Sequence, residues 1–224
     1  YTWTAEDADG KMLVGTSLGL VVITDPQNVF TSEGVTAEKI VIEVDGEASH
    51  LLGDEIINTI HVDASNRKWI GTDGAGVFLF SDDLQSEIYH FNTLNSPLLG
   101  DVIYDIEIND QTGEVYFSTN EGLVSFMGDA TDSDNYDGPV YSFPNPVPSN
   151  YTGIIGIRGL INNAEIKITD ITGNLVYETF AEGGTGTWDG KSLSGERVSS
   201  GVYIVHVSNP DGSEKQITKI LFLN

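Results

Sequence analysis

Apolar residues along this chain fall in short runs broken by Gly, Asn, Asp and Ser, the pattern of strands joined by tight turns. Runs such as Ile57-Asn-Thr-Ile-His-Val62 and Tyr104-Asp-Ile-Glu-Ile108 alternate only in part. Partial alternation is expected of strands covered on both faces by neighbouring layers. The β-branched and aromatic content of the runs agrees with strand, so the pattern predicts an all-β protein.

The runs repeat. Asp7-Ala-Asp-Gly-Lys-Met-Leu-Val-Gly15-Thr16, Asp63-Ala-Ser-Asn-Arg-Lys-Trp69-Ile-Gly71-Thr72 and Asn109-Asp-Gln-Thr-Gly-Glu-Val-Tyr-Phe-Ser118-Thr119 align, each followed by a Gly-containing turn and another apolar run. The small residue before Thr recurs after 56 and then 47 residues, in or slightly above the range of propeller blades. With Glu38 to Val44 and Glu87 to Phe91 as candidate fourth strands, each unit reads as a four-stranded antiparallel blade. The third repeat has no evident fourth strand before Met127. Three blades do not close a ring of about 4–8, and the chain begins at Tyr1 inside an apparent strand, so further blades and any export signal are expected upstream. The open place in the third repeat reads as the ring's final blade, completed by a strand from the ring's start.

Trp69, Ile70, Gly71, Thr72 and Gly76 fit a pattern close to D-x-x-G-x-W-I-G-T-x-x-G-L, and the segment from residue 1 to about 127 thereby resembles the regulator-type propeller repeat of Bacteroidetes surface proteins and sensors. The resemblance implies the fold and leaves the ligand open.

Residues 128–138 are polar and acidic without periodicity, which reads as a linker. Its aspartates miss the spacing of a calcium loop, since Tyr136 and Asp137 fall out of register with Asp132 and Asp134. Asp7-Ala-Asp-Gly10 likewise reads as a hairpin turn. Beyond the linker, Phe143-Pro144-Asn145-Pro146-Val147 sets an extended, rigid approach. Seven short runs occupy residues 139–224: Val140 to Phe143, Gly153 to Arg158, Ala164 to Thr169, Leu175 to Phe180, Thr185 to Trp188, Val202 to Val207 and Gln216 to Leu223. Asn162-Asn163, Thr172-Gly173-Asn174, Gly183-Gly184 and Asn209-Pro-Asp-Gly212 separate them, which predicts an immunoglobulin-like sandwich of seven strands.

Pro144-Asn145-Pro146, the strand and turn carrying Asp170 and Gly173, Trp188-Asp189-Gly190, Gly201 with Tyr203, and a last strand with Lys215 and Lys219 occur in that order. In this respect the segment resembles the C-terminal domain of type IX secretion cargo. Trp188, Tyr203 and Ile204 are expected in its core, and Asp189-Gly190 in a tight turn.

Composition narrows the function. With 34 acidic residues against 10 basic, the formal charge is −24; such a surface repels phosphate backbones, and nucleic acid is excluded as a partner class. There is no cysteine, hence no disulfide, thiolate metal site or cysteine nucleophile. No apolar run approaches the ~18 residues of a membrane-spanning helix. His50, His61, His90 and His206 lie in unrelated segments without metal-binding spacing. No nucleophile-elbow, Walker or Rossmann glycine pattern occurs, and no catalytic, cofactor-binding or metal residue is expected.

Together the two resemblances imply a non-catalytic cell-surface or periplasmic component of the type IX secretion and surface-attachment machinery. Its partners would be other secretion or surface proteins, with lipopolysaccharide or glycan as a ligand class. Two alternatives share the repeats: a secreted glycan- or protein-binding propeller cargo with a C-terminal sorting domain, and the sensor region of a two-component regulator.

Overall fold

The structure is a computed structural model that describes residues 3–31, 34–44, 47–132, 139–209 and 215–223. The chain divides into two units, Tyr1–Gly128 and Asp129–Asn224.

In the first unit, β1 (Trp3–Glu6), β2 (Met12–Thr16), β3 (Gly19–Ile23) and β4 (Ala37–Lys39) form an antiparallel sheet in sequence order. A hairpin of β5 (Val41–Val44) and β6 (Glu47–His50) follows. The second sheet runs β7 (Ile57–Val62), β8 (Lys68–Thr72), β9 (Val77–Phe80) and β10 (Glu87–Phe91); the third has three strands, β11 (Ile103–Asn109), β12 (Glu114–Thr119) and β13 (Gly122–Met127). The sheets stack through two apolar cores. One joins Leu13, Leu20 and Val22 to Ile57, Ile60, Ile70 and Phe78. The other joins Trp69 and Leu79 to Ile103, Ile106, Val115 and Phe117. The second sheet is therefore covered on both faces, and every residue of β8 is buried, which is why its run does not alternate between apolar and polar.

One expectation needs correction. Glu38 to Val44 is not a single fourth strand: β4 ends at Lys39 and pairs with β3, whereas β5 turns back on β6. The apolar pattern is continuous across Ile40, and only the pairing partners differ.

In the second unit, β14 (Tyr141–Phe143), β15 (Ile155–Arg158) and β18 (Thr185–Trp188) make one sheet; β16 (Glu165–Thr169), β17 (Leu175–Phe180), β19 (Gly201–Ser208) and β20 (Lys215–Phe222) make the other, in the order β17-β16-β19-β20. These seven strands enclose a core with Ile157, Ile166, Val205 and Ile220 at 0% exposure. The expected linker also changes. Ala130 and Thr131 are buried in this unit, with Thr131 Oγ1 2.8 Å from Thr185 Oγ1. Residues 133–138, with Asp134, Tyr136 and Asp137, lie outside the described residues, as do Pro210 to Gly212 of the last turn.

Candidate functional site

The residues singled out by the repeat are structural, and each has a geometric reason. Trp69 on β8 is 1% exposed, with its ring centroid 5.5 Å from Phe117 and 6.0 Å from Phe126 across the next sheet. Gly71 faces the same sheet: a Cβ there would lie 2.6 Å from Ile103 Cγ2, and one on Gly15 would lie 2.5 Å from Ile57 Cγ2. The small residue before Thr is thus required because the next sheet's first strand passes against it. Thr72 closes the following turn by donating from Oγ1 to the Gly76 carbonyl (2.9 Å) while accepting from Ala75 N–H. Thr16 and Thr119 do the same to Gly19 and Gly122. Gly76 has φ of +83° and abuts the Phe91 carbonyl, so both conformation and space demand glycine.

The turns that open with Asp or Asn share one device in both units. Asp7, Asp63 and Asn109 each accept two backbone N–H groups, from Asp9 and Lys11, Ser65 and Arg67, and Gln111 and Thr112. Asp170 does so with Thr172 and Asn174, and also accepts from the Thr172 hydroxyl and the Asn174 amide. These donors, the Thr172 hydroxyl foremost, hold the Asp170 carboxyl far below the usual carboxylate range. Gly173 provides the φ of +90° at the turn.

In the sandwich, Pro144-Asn145-Pro146 is fastened to the last strand. Asn145 Nδ2 donates to the Lys219 carbonyl (2.7 Å), its Oδ1 accepts from Leu221 N–H (3.0 Å), and Val147 N–H donates to the Leu221 carbonyl (2.7 Å). An asparagine amide here supplies the donor and acceptor that a strand partner would. The proline pattern predicts extended backbone, but residues 144–146 bend, with Phe143-Pro144 and Asn145-Pro146 both cis, and the pattern does not reveal this attachment 74 residues away. Trp188 is 1% exposed, donates from Nε1 to the Lys191 carbonyl (2.7 Å), and packs its ring against Tyr177, Tyr203 and Phe222. Asp189 pairs with Lys191 at 2.8 Å, and Gly190 turns with φ of +74° beneath the Phe222 ring. Tyr203 is buried and its hydroxyl donates to the Ser199 carbonyl (2.9 Å). Ile204, expected in the core, is half-buried. Nothing in the structure requires glycine at 201, where a Cβ would meet open space.

Sequence reasoning missed Lys68. Its side chain is 0% exposed, with Nζ donating to the carbonyls of Asn66 (2.7 Å) and Asp82 (2.6 Å) and lying 3.4 Å from Asp7 Oδ2 in the preceding sheet. Burial lowers its pKa, opposed by Asp7. Beside it, Arg67 Nε meets Asp63 Oδ2 at 2.8 Å, also buried. Only the fold could reveal these ion pairs, because a lysine between Arg67 and Trp69 reads as a surface residue until the stacked sheet covers it.

The histidines stay apart: His61 Nδ1 lies 3.1 Å from the Ile106 carbonyl, His90 Nε2 2.8 Å from that of Ala75, and His206 Nε2 3.3 Å from Thr169 Oγ1. Among the described residues no three His, Cys, Asp or Glu side chains gather as metal ligands. What the described arrangement offers is rigid sheet surface and strand edges.

Stacked repeat sheets followed by a seven-stranded sandwich define an all-β protein with propeller-like repeats and a C-terminal sandwich. Residues 141–222 match the family model of the secretion system C-terminal sorting domain. Over 99% of its length the chain is similar, at 29% identity and a TM-score of 0.69, to PorZ, an essential surface component of the type IX secretion system of Porphyromonas gingivalis. The chain spans 30% of that protein. The extracellular domain of a hybrid two-component system from B. thetaiotaomicron aligns at 13% identity and a TM-score of 0.34, covering 99% of this chain and 30% of that one, a likeness too slight to bear on function. No curated protein matches. The sorting-domain match marks the chain as extracytoplasmic; no helix among the described residues is long and apolar enough to cross a membrane.

Proposed function

We propose that this chain is part of a non-catalytic, PorZ-like component of the type IX secretion and surface-attachment machinery, held at the outer-membrane surface. One observation carries the reading: the likeness to PorZ runs through both units, covering 99% of the chain, where a cargo protein needs to share only the sorting domain. The component's partners are other secretion or surface proteins, with lipopolysaccharide or glycan as the ligand class. The sorting-domain match taken by itself supports a second reading, a secreted propeller cargo whose sandwich serves only as an address.

The test is the mass of the mature protein recovered from cells, followed with an antibody raised against residues 139–224. A machinery component keeps the domain on the full-length surface protein. Removal of the domain during export would establish the cargo reading instead.

A further inference from the structure

Exposed apolar side chains of the propeller unit gather at the end where one sheet passes to the next. Four backbone hydrogen bonds tie that end together: Gly19 N–H to the Glu55 carbonyl (3.1 Å), Asp73 N–H to that of Ile56 (2.9 Å), Gly76 N–H to that of Asp101 (3.0 Å) and Asn120 N–H to that of Val102 (3.0 Å). The turns after β2, β8 and β12 and the loops that lead into β7 and β11 thus form one row. Leu18, Ile56, Leu94, Leu99 and Leu123 stand along it, 64%, 45%, 94%, 50% and 66% exposed. Leu99 reaches the last turn, since a Cβ on Gly122 would lie 3.1 Å from its Cδ1. Single exposed leucines are ordinary, but several on one surface mark a contact with another molecule.

The same row is acidic. Its turns and loops carry Asp54, Glu55, Asp73, Asp101 and Glu121, with neither Lys nor Arg; Asp54, Asp73 and Glu121 are exposed. Lys39, at the end of β4, is already committed there, with Nζ donating to the Leu18 carbonyl (3.0 Å). Charge is divided unevenly along the chain: residues 1–128 hold 22 acidic and 4 basic side chains, and residues 139–224 hold 8 and 6. The sandwich also presents an apolar face that carries a cation. On the outward side of β19 and β20, Val202 lies opposite Leu221, Ile204 opposite Lys219 and His206 opposite Ile217. Val202, Leu221, Ile217 and Lys219 are all exposed.

We infer that this acidic, apolar end of the propeller unit docks the C-terminal sorting domain of another exported protein. The occupant follows from the chemistry of the two surfaces. Leucines of the row meet the apolar side chains of the last two strands at the centre, and a basic residue placed as Lys219 is here meets the rim formed by Asp73 and Glu121. The sandwich of this chain shows what such a domain presents, because residues 141–222 match the sorting-domain model. Opposite charge at the rim also favours this occupant over a second propeller end, whose carboxylates would repel. The inference rests on the machinery reading, in which the protein meets the sorting domains of other exported chains.

The test uses full-length protein in its own cells, carrying a benzophenone amino acid at Leu94 or Leu123. Phe30 is the control position, 97% exposed in the connection between β3 and β4 at the opposite end of the sheet. After irradiation and digestion, mass spectrometry should find adducts from Leu94 and Leu123 whose linked peptide lies in the sorting domain of a second protein, and none from Phe30. Asp73→Lys combined with Glu121→Lys, both at exposed side chains, should cut these adducts at least ~10-fold. Links within the same polypeptide, to a second copy or to a protein without a sorting domain overturn the inference, as do equal adducts from Phe30 or adducts indifferent to the charge reversal. An antibody against residues 139–224 reads retention of the domain on the same samples. A retained domain without adducts overturns the docking and leaves the machinery reading standing; loss of the domain overturns both.

Discussion

A methyl group on Gly71 would lie 2.6 Å from the side chains of both Ile103 and Thr59, which leave it no room. Gly71→Ala should therefore cost about 1–3 kcal/mol in urea unfolding of the propeller unit. Gly201→Ala, though drawn from an equally prominent motif, should change stability by less than about 0.5 kcal/mol, because nothing lies within 4 Å of its Cβ. If the two cost the same, crowding is not what places glycine before Thr72. The buried cation offers a second comparison. Lys68→Met would strand the Asn66 and Asp82 carbonyls and the Asp7 carboxylate that Nζ now faces. Loss of one partner from a buried ion pair costs about 3–5 kcal/mol, and a thermal melt of the variant measures it.

Among the elements, the turns are the most repetitive feature, with one side-chain oxygen serving two backbone donors at Asp7, Asp63, Asn109 and Asp170. Asp170 titrates well below an ordinary aspartate, held there by the Thr172 hydroxyl and the Asn174 amide. A carboxyl whose pKa is depressed by folding adds stability above its unfolded pKa and loses it as the pH falls towards the folded value. Its contribution should therefore be complete near neutrality and decline below about pH 4. Asp170→Asn should lose less stability than the parent between about pH 6 and about pH 3, as measured by chemical denaturation at each pH; an unchanged acid limb would mean that the turn is not titrating. The elements also show how far local pattern reaches. Leu175–Phe180 and Thr185–Trp188 are strands with the bounds the sequence suggests, since turn residues and apolar runs mark both ends. The division of Glu38 to Val44 between two sheets was not legible, because pairing partners are chosen by long-range contact and leave no local mark.

At the scale of the molecule, charge and modularity make separate predictions. Each apolar core draws on residues of one unit: residues 140–222 for the sandwich, and residues below 128 for the two propeller cores. A fragment spanning 129–224 should therefore unfold cooperatively by itself, with retained near-ultraviolet dichroism from Trp188 and its tyrosine neighbours. A fragment without a cooperative transition would contradict this. The charge of −24 opposes compaction through self-repulsion, so the melting temperature should rise as salt increases from about 10 to about 150 mM, as the screening length falls from ~30 to ~8 Å.

By itself the sequence determined what short-range chemistry can specify. Alternation and β-branching mark strands, Asx and glycine residues mark turns, the recurrence of Gly-Thr shows the repeat, and the ordered motifs from Pro144 to Tyr203 point to the sorting-type sandwich. These signals are legible because each depends on the backbone and side chains of a few neighbouring residues. Only the tertiary structure decided that β4 ends at Lys39, that Lys68 is buried against Asp7, and that Asn145 fastens to the last strand. Most of these are contacts between residues far apart in the chain, and the rest follow from which strand pairs with which. Their energy arises when packed sheets exclude water, a condition no local stretch of sequence contains.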